Sequence, residues 1–271
     1  MSVKTTHPEY KEMSGLWKRC RDAADGQDAV HSAGADYLPM LTDQSAAEYE
    51  AYKSRTCFYN ATWRTIAGLQ GMIFRKPAIV EVADVVEPML EDVGLCGLNL
   101  HMFTLELMEE CLTVGRVGIF VDYPSIDQTH TTEADSKLLG LRPIMKKYKT
   151  ESIINWRHTV IGNRCVLSMV VLSEEVSVTG KNEFDIIEVA QYRVLDLFPL
   201  DMGNNTKQLV YRVRVFTVND KDEDVLMEVS YPMIKGKHLD TIPFFAIGTD
   251  SVEICPDTPP LVDLVDRKSV V

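Results

Sequence analysis

The sequence is short of the features that announce chemistry. Across 271 residues, no apolar run approaches the roughly 20 residues of a membrane-spanning helix, so no membrane partner is expected. The opening "MSVKTTHPEYKEM" has none of the apolar stretch of a secretory signal. Six cysteines (Cys20, Cys57, Cys96, Cys111, Cys165 and Cys255) are scattered, with no C-x-x-C pair and no histidine at ligand spacing. That pattern suggests neither a zinc site nor a disulfide scaffold, and it fits a reducing, intracellular setting. Phosphate loops of the form G-x-x-x-x-G-K-[ST], G-x-S-x-G elbows and H-E-x-x-H are all missing, and "VGRVG" lacks the spacing of a dinucleotide loop. "DKDEDV" at 220–225 resembles the start of a calcium loop. It places Val225 where that loop needs glycine and Tyr231 where it needs a bidentate glutamate, so a solvated hairpin tip is expected. Positive charge is also scarce: 28 Lys and Arg face 40 Asp and Glu, a formal net charge of −12. A protein that grips nucleic acid clusters Lys and Arg, so this balance argues against one. It leaves room for a protein past which nucleic acid slides.

What is present has the texture of an α+β protein, with a helix-rich N-terminal part followed by an antiparallel β-rich module. Apolar residues make up 45% and charged residues 25% of the chain, ordinary globular values that exclude wholesale disorder. A short helix is expected around Met13–Ala24, then an irregular segment containing Gly34, Asp36 and Pro39. "SAAE" reads as a capping box, with Ser45 as N-cap and Glu48 reaching back. From there Tyr49, Tyr52, Thr56, Tyr59, Trp63 and Ile66 recur at steps of three and four. That spacing predicts one long helix with a core-facing aromatic stripe, ending near Gly68 or Gly71. A second helix is expected at about Asn99–Val114, with Leu100, Phe103, Leu107, Met108 and Cys111 inward and Gly115 as its stop. His101 falls either toward the core or at the edge of that helix. Cys57 and Cys111 both lie in helical patterns, where buried free thiols are common. "VGIFVDYP" reads as a buried strand closed by Asp122 and Pro124, and 125–140 as a mobile surface loop.

From Pro143 onward, strands dominate. "IINWRHTV" and "CVLSMVVLSEEVSV" flank a Gly162-Asn163 hairpin signal. Further strands are expected at Phe184–Val189, Ala190–Leu197, Gln208–Val218 and Val225–Tyr231, with turns at "TGKN", "DMGNNTK" and "NDKDED". Arg212 and Arg214 alternate with Tyr211, Val213 and Val215, the signature of a sheet with one face in water. The resulting division is 1–142 helix-rich, 143–250 β-rich, and a closing segment 251–271. No catalytic, cofactor-binding or metal-ligating residue is expected. Asp122 sits where an α/β enzyme could hold a carboxylate, but no second positioned acid or base lies near it in sequence. Trp156, Arg157, Arg193 and Arg212 are the candidates for an interface on the β module, with core or sheet-face roles as the alternative.

Several stretches taken in order resemble a known family: "LWKRCRDAADGQDAV", "YLPML", "RTCFYNATWRTIAGLQGMIFRKP", "GRVGIFVDYP", "RPIMKKYKTESIINWR", "YRVLDL", "IPFFAIG" and "PPLVDLV". Together they are similar to the N-terminal portion of a tailed-phage portal-like family, often described only as a domain of unknown function. The resemblance implies a homo-oligomeric ring, a dodecamer by family analogy, at the portal vertex of the virion, assembled in the host cytoplasm. Double-stranded DNA would pass through it during packaging and ejection. Its partners would be the terminase motor, the capsid and tail adaptor proteins. By the same analogy 1–142 is wing-like, 143–250 corresponds to the stem and clip, and 251–271 is a truncated return to the body. Relatives continue past "PPLVDLV" with long helices, whereas this chain reads "DRKSVV". Leu261 and Leu264 are therefore expected to be less buried than apolar residues at a domain boundary. Two other readings are a stand-alone phage head or head–tail interaction protein, and a hydrolase built on Asp122.

Overall fold

The computed structural model describes residues 2–84, 86–123, 141–180, 182–201, 207–219, 221–234 and 236–266. The expected loop at 125–140, the tip of the "DMGNNTK" turn and the terminal "RKSVV" lie outside them. The chain forms two compact units, one from 12–117 and 246–271, the other from 1–11 and 118–245. Helices dominate the first and antiparallel strands the second, an α+β architecture.

In the helical unit, α1 (Pro8–Asp25) extends the expected helix toward the N-terminus, and its first turn is counted with the other unit. Trp17, Cys20 and Ala23, three residues apart, form its buried line. A short α2 (Gln27–Ala33) and a 3-10 turn (Gly34–Asp36) occupy the segment expected to be irregular. The capping box at Ser45 and Glu48 is formed and starts α3 (Ala46–Arg55).

The long helix expected after it is broken. Thr56 is extended, at φ −71° and ψ 125°, and its carbonyl pairs with the His31 ring nitrogen at 2.9 Å instead of continuing the helix. Asn60 then caps α4 (Ala61–Ile73) by accepting from the Trp63 amide, while its side-chain amide donates to the Ala24 carbonyl. Polar side chains that bond locally to backbone compete with a continuing helix, and tertiary ties here decide the contest. The stripe is consequently not a core. Thr56 and Ile66 are buried, Tyr49 and Tyr52 are half-buried, and Tyr59 and Trp63 are exposed. Cys57 falls in the break and is exposed, whereas Cys111 is buried as expected.

After α5 (Glu87–Glu91), α6 (Leu100–Val114) follows the sequence pattern closely. Asn99 caps it, Phe103, Leu107 and Cys111 are buried, and Leu100 and Met108 are half-buried. His101 lies at its exposed edge, its ring meeting Phe74 edge-on at 5.6 Å. Gly115 ends α6 in the left-handed region at φ 84°, with backbone oxygens of Asp257 and Thr258 close by. The fully buried Arg116 side chain donates to the Ile254 carbonyl at 2.6 Å and lies over the Trp17 ring. A closing turn, α7 (Val262–Asp266), carries Leu261 and Leu264 half-buried beside it.

In the β unit, five strands run antiparallel in the order β3-β4-β5-β6-β7. They are β3 (Ile153–Ile161), β4 (Arg164–Thr179), β5 (Ile186–Asp201), β6 (Lys207–Val218) and β7 (Asp224–Ser230). The expected hairpin is present, with Ile161 opposite Arg164 and Gly162 at φ 61°. The two strands expected at 184–189 and 190–197 are one 16-residue strand, because nothing between Val189 and Ala190 turns the chain. Phe184 lies in the turn before it. A small sheet, ordered β10-β1-β2, is formed by β1 (Arg116–Asp122), β2 (Ile144–Lys149) and β10 (Phe244–Gly248). Strands β8 (Met233–Ile234) and β9 (Lys237–His238) pair with each other. On one face of the large sheet Ile154, Val171 and Val194 are packed by Val3, Tyr10, Tyr192 and Phe216. The N-terminal residues are tied across that face: the Val3 amide donates to Asp224, and the His7 amide to the Ile154 carbonyl.

Gly115 yields the first testable consequence. A methyl there would stand 2.8 Å from a backbone oxygen and would also strain a positive φ. Gly115→Ala is expected to cost about 1–3 kcal/mol in denaturant unfolding, whereas Gly68→Ala, in open space on α4, is expected to be neutral or stabilising.

Candidate functional site

Strand register decides what the four sequence-selected residues do. Alternation puts Leu172, Glu174, Arg193, Leu195, Tyr211 and Val213 on one face of the large sheet. Val171, Val194, Asp196, Arg212, Arg214 and Phe216 lie on the other. On the first face Glu174 accepts four hydrogen bonds. Arg193 donates through Nε at 2.6 Å and Nη2 at 3.2 Å, Gln191 at 2.6 Å, and the Tyr148 hydroxyl at 2.5 Å. On the opposite face Asp196 takes Arg212 in a two-pronged contact, at 3.1 and 2.6 Å, and Arg214 at 3.1 Å. The Arg212 guanidinium also lies 4.0 Å over the Phe198 ring.

Arg193 and Arg212 are thus internal ion-pair partners. Trp156 is buried at 3% exposure and stacked on His7 at 4.1 Å, so it belongs to the core rather than the surface. Arg157 is exposed on the edge strand β3. The structure does not bring the four residues together into one surface.

The electrostatics of the Glu174 cluster are those of a closed structural pair. Burial raises the Glu174 carboxyl, but the hydrogen bonds and charge of Arg193, with Tyr148 and Gln191, outweigh it and hold the carboxyl below its ordinary value. Burial and the neighbouring carboxylate push the Tyr148 hydroxyl far up. Asp122 is held by Lys146 at 2.8 Å. Among the described residues no group of His, Cys, Asp and Glu is arranged to hold a metal ion. Nor is any described helix long and apolar enough to cross a membrane.

The unused surface lies immediately beyond Glu174. Strand β3 pairs with β4 only as far as Leu172, and β6 pairs with β5 only as far as Gln191 opposite Thr217. Past that row β4 and β5 continue alone as a two-stranded arm, 175–179 paired with 186–190. Its tip is closed by the Gly180 amide donating to the Asp185 carbonyl at 2.7 Å. On the face shared with Glu174 stand Val176 opposite Val189 and Val178 opposite Ile187. Val178 is 42% and Ile187 45% exposed. The other face carries Glu175, Ser177, Glu188 and Ala190. A two-stranded ribbon is marginal in water, and this one presents a row of β-branched side chains of which, among the described residues, Val176, Val178 and Ile187 stay exposed and Val189 half-buried.

The helical unit has, among the described residues, an open surface of its own. On α4, Thr62 and Ile66 are buried, while Trp63 (41% exposed), Ala67 and Gly71 form one outward row, and Arg64, Gly68 and Met72 the next. A methyl group at Gly68 or Gly71 would meet none of the described residues beyond the helix within 4 Å, so the flank of the helix is open. Both surfaces escaped the sequence reading. The alternation in "EVSV" and "IIEV" was the available signal for the arm, and the polar break at Thr56–Asn60 was the signal that Trp63 turns outward. No protein-family model and no curated protein matches the chain.

The Glu174 cluster makes a quantitative prediction. Glu174→Gln leaves Arg193 without its counter-charge and is expected to cost about 3–5 kcal/mol. Replacing Glu174 and Arg193 together by Leu is expected to cost less. Because the folded carboxyl is lowered, its contribution is fully present above the ordinary Glu value of 4.5 and is lost as pH falls below it. Urea titrations from neutral pH down to strongly acidic pH are expected to show a weaker acid dependence in Glu174→Gln than in the wild type.

Proposed function

We propose that the chain is a portal-type subunit, a structural protein that assembles with copies of itself into a ring conducting double-stranded DNA. The observation that carries this reading is the uncovered arm, with its Val176, Val178, Ile187 and Val189 face. An apolar surface rimmed by charge marks a protein contact. A closed ring also needs a heterologous interface, in which two different surfaces of one subunit meet. The arm and the outward face of α4 are two such surfaces, unlike in shape and carried by different units.

The ordered stretches from "LWKRCRDAADGQDAV" to "PPLVDLV" supply the family context. The family they resemble has that role, a vertex conduit docking a packaging motor, the capsid and a tail adaptor. The net charge of −12 suits a channel past which a polyanion must slide rather than stick. The hydrolase reading has less support, since Asp122 is engaged by Lys146.

Sedimentation velocity and negative-stain imaging test the proposal. Closed rings of uniform size are expected as protein concentration rises. A chain that stays monomeric at every concentration reached would overturn the ring and leave a stand-alone interaction protein.

A further inference from the structure

Resting on the ring reading, we infer that the occupant of the arm's apolar face is helix α4 of a second copy of the chain, seated with its Trp63 row across Val176, Val178, Ile187 and Val189. Shape is the first argument. Paired β-branched residues make a flat, pleated surface of the kind that takes a helix in layered folds. The α4 row offers one large anchor, Trp63, beside Ala67 and Gly71, which let the helix axis come close to the sheet. A buried aromatic anchor ringed by small contacts is how binding energy concentrates at interfaces.

Charge is the second argument, and it favours α4 over a second arm. Residues 175–190 hold four carboxylates (Glu175, Glu183, Asp185 and Glu188) against one cation, Lys181. Residues 56–80, which contain α4, hold Arg64, Arg75 and Lys76 and no carboxylate at all. Arg64, Arg75 and Lys76 are exposed, as are Glu175, Glu183, Asp185 and Glu188. Glu175 and Glu188 stand on the face away from the apolar row, so the charge that meets an occupant is that of Glu183 and Asp185 at the tip, which a second arm would match in sign and Arg64 on α4 would oppose. Complementary charge of this kind steers encounter and suppresses the wrong pairing. Because the two surfaces differ, each copy uses its arm on one neighbour and its α4 on the other.

The test mixes two variants, each missing one half of the contact. Val178→Lys spoils the arm and leaves α4 intact; Trp63→Glu spoils α4 and leaves the arm intact. Both positions are exposed, and Trp63 is the third helical residue after the Asn60 cap, where glutamate is favourable. Matching far-UV circular dichroism and unfolding midpoints verify that the variants fold. In sedimentation equilibrium each variant alone is expected to be monomeric. Their equimolar mixture is expected to form a one-to-one dimer and stop, since one complementary pair survives.

If wild type assembles but the mixture stays monomeric, or if Trp63→Glu assembles as wild type does, the arm-to-α4 contact is overturned and the ring reading stands. A wild type that never assembles removes both.

Discussion

The Glu174 carboxylate is the fixed point from which the rest of the β unit is organised. It sits on the last row in which β5 still has β6 beside it, β3 having already ended opposite Leu172. A half-buried charge is tolerated there because four donor groups surround it, from Arg193, Gln191 and Tyr148. The arrangement exists in one register only. A slip of one residue would carry Glu174 to the face opposite Arg193 and leave both charges unpaired. Asp196 enforces the same discipline between β5 and β6 from the other face, through Arg212 and Arg214. With register fixed from both sides, Val176, Val178, Ile187 and Val189 must emerge together on one side of the arm.

That constraint links a structural ion pair to the proposed role. Within one chain the arm buries little, because most of its apolar row is exposed and, among the described residues, its two strands have no flanking strand. Such a feature makes physical sense when its burial is completed by another copy. The distribution of charge points the same way. Acid is gathered along the arm, base along the segment containing α4, and the apolar rows of both remain open. Assembly would then bury surfaces that are costly to leave in water, with complementary rims setting the orientation.

Legibility from sequence followed the range of the interactions involved. The Ser45–Glu48 capping box, the Asn99 and Gly115 ends of α6, the hairpin at Ile161–Arg164 and the alternating strand through Arg212 and Arg214 are all local patterns, and all are present. The α+β class followed from them. Apart from the strand wrongly split at Val189–Ala190, the elements that departed from expectation are those governed by partners distant in sequence. Thr56 leaves the helix because His31 takes its carbonyl, and Asn60 is drawn to Ala24. Trp156 is interior because His7 stacks on it. For Arg193 and Arg212 interface and sheet-face roles stayed open, since their carboxylates stand on the adjacent strand, 19 and 16 residues away. The candidate site was hidden for the same reason: uncovered surface is defined by where neighbouring strands stop, which no local pattern states.

The central claim is that the arm is ordered at its root by Glu174 and completed along its apolar face by another copy. Backbone hydrogen exchange, followed residue by residue over a range of protein concentrations, addresses it directly. The account predicts that amides of 175–179 and 186–190 exchange rapidly in dilute protein and become progressively protected as concentration rises, while those of Val170, Val171 and Leu172 stay protected throughout. Exchange in the arm that is identical at every concentration would contradict it.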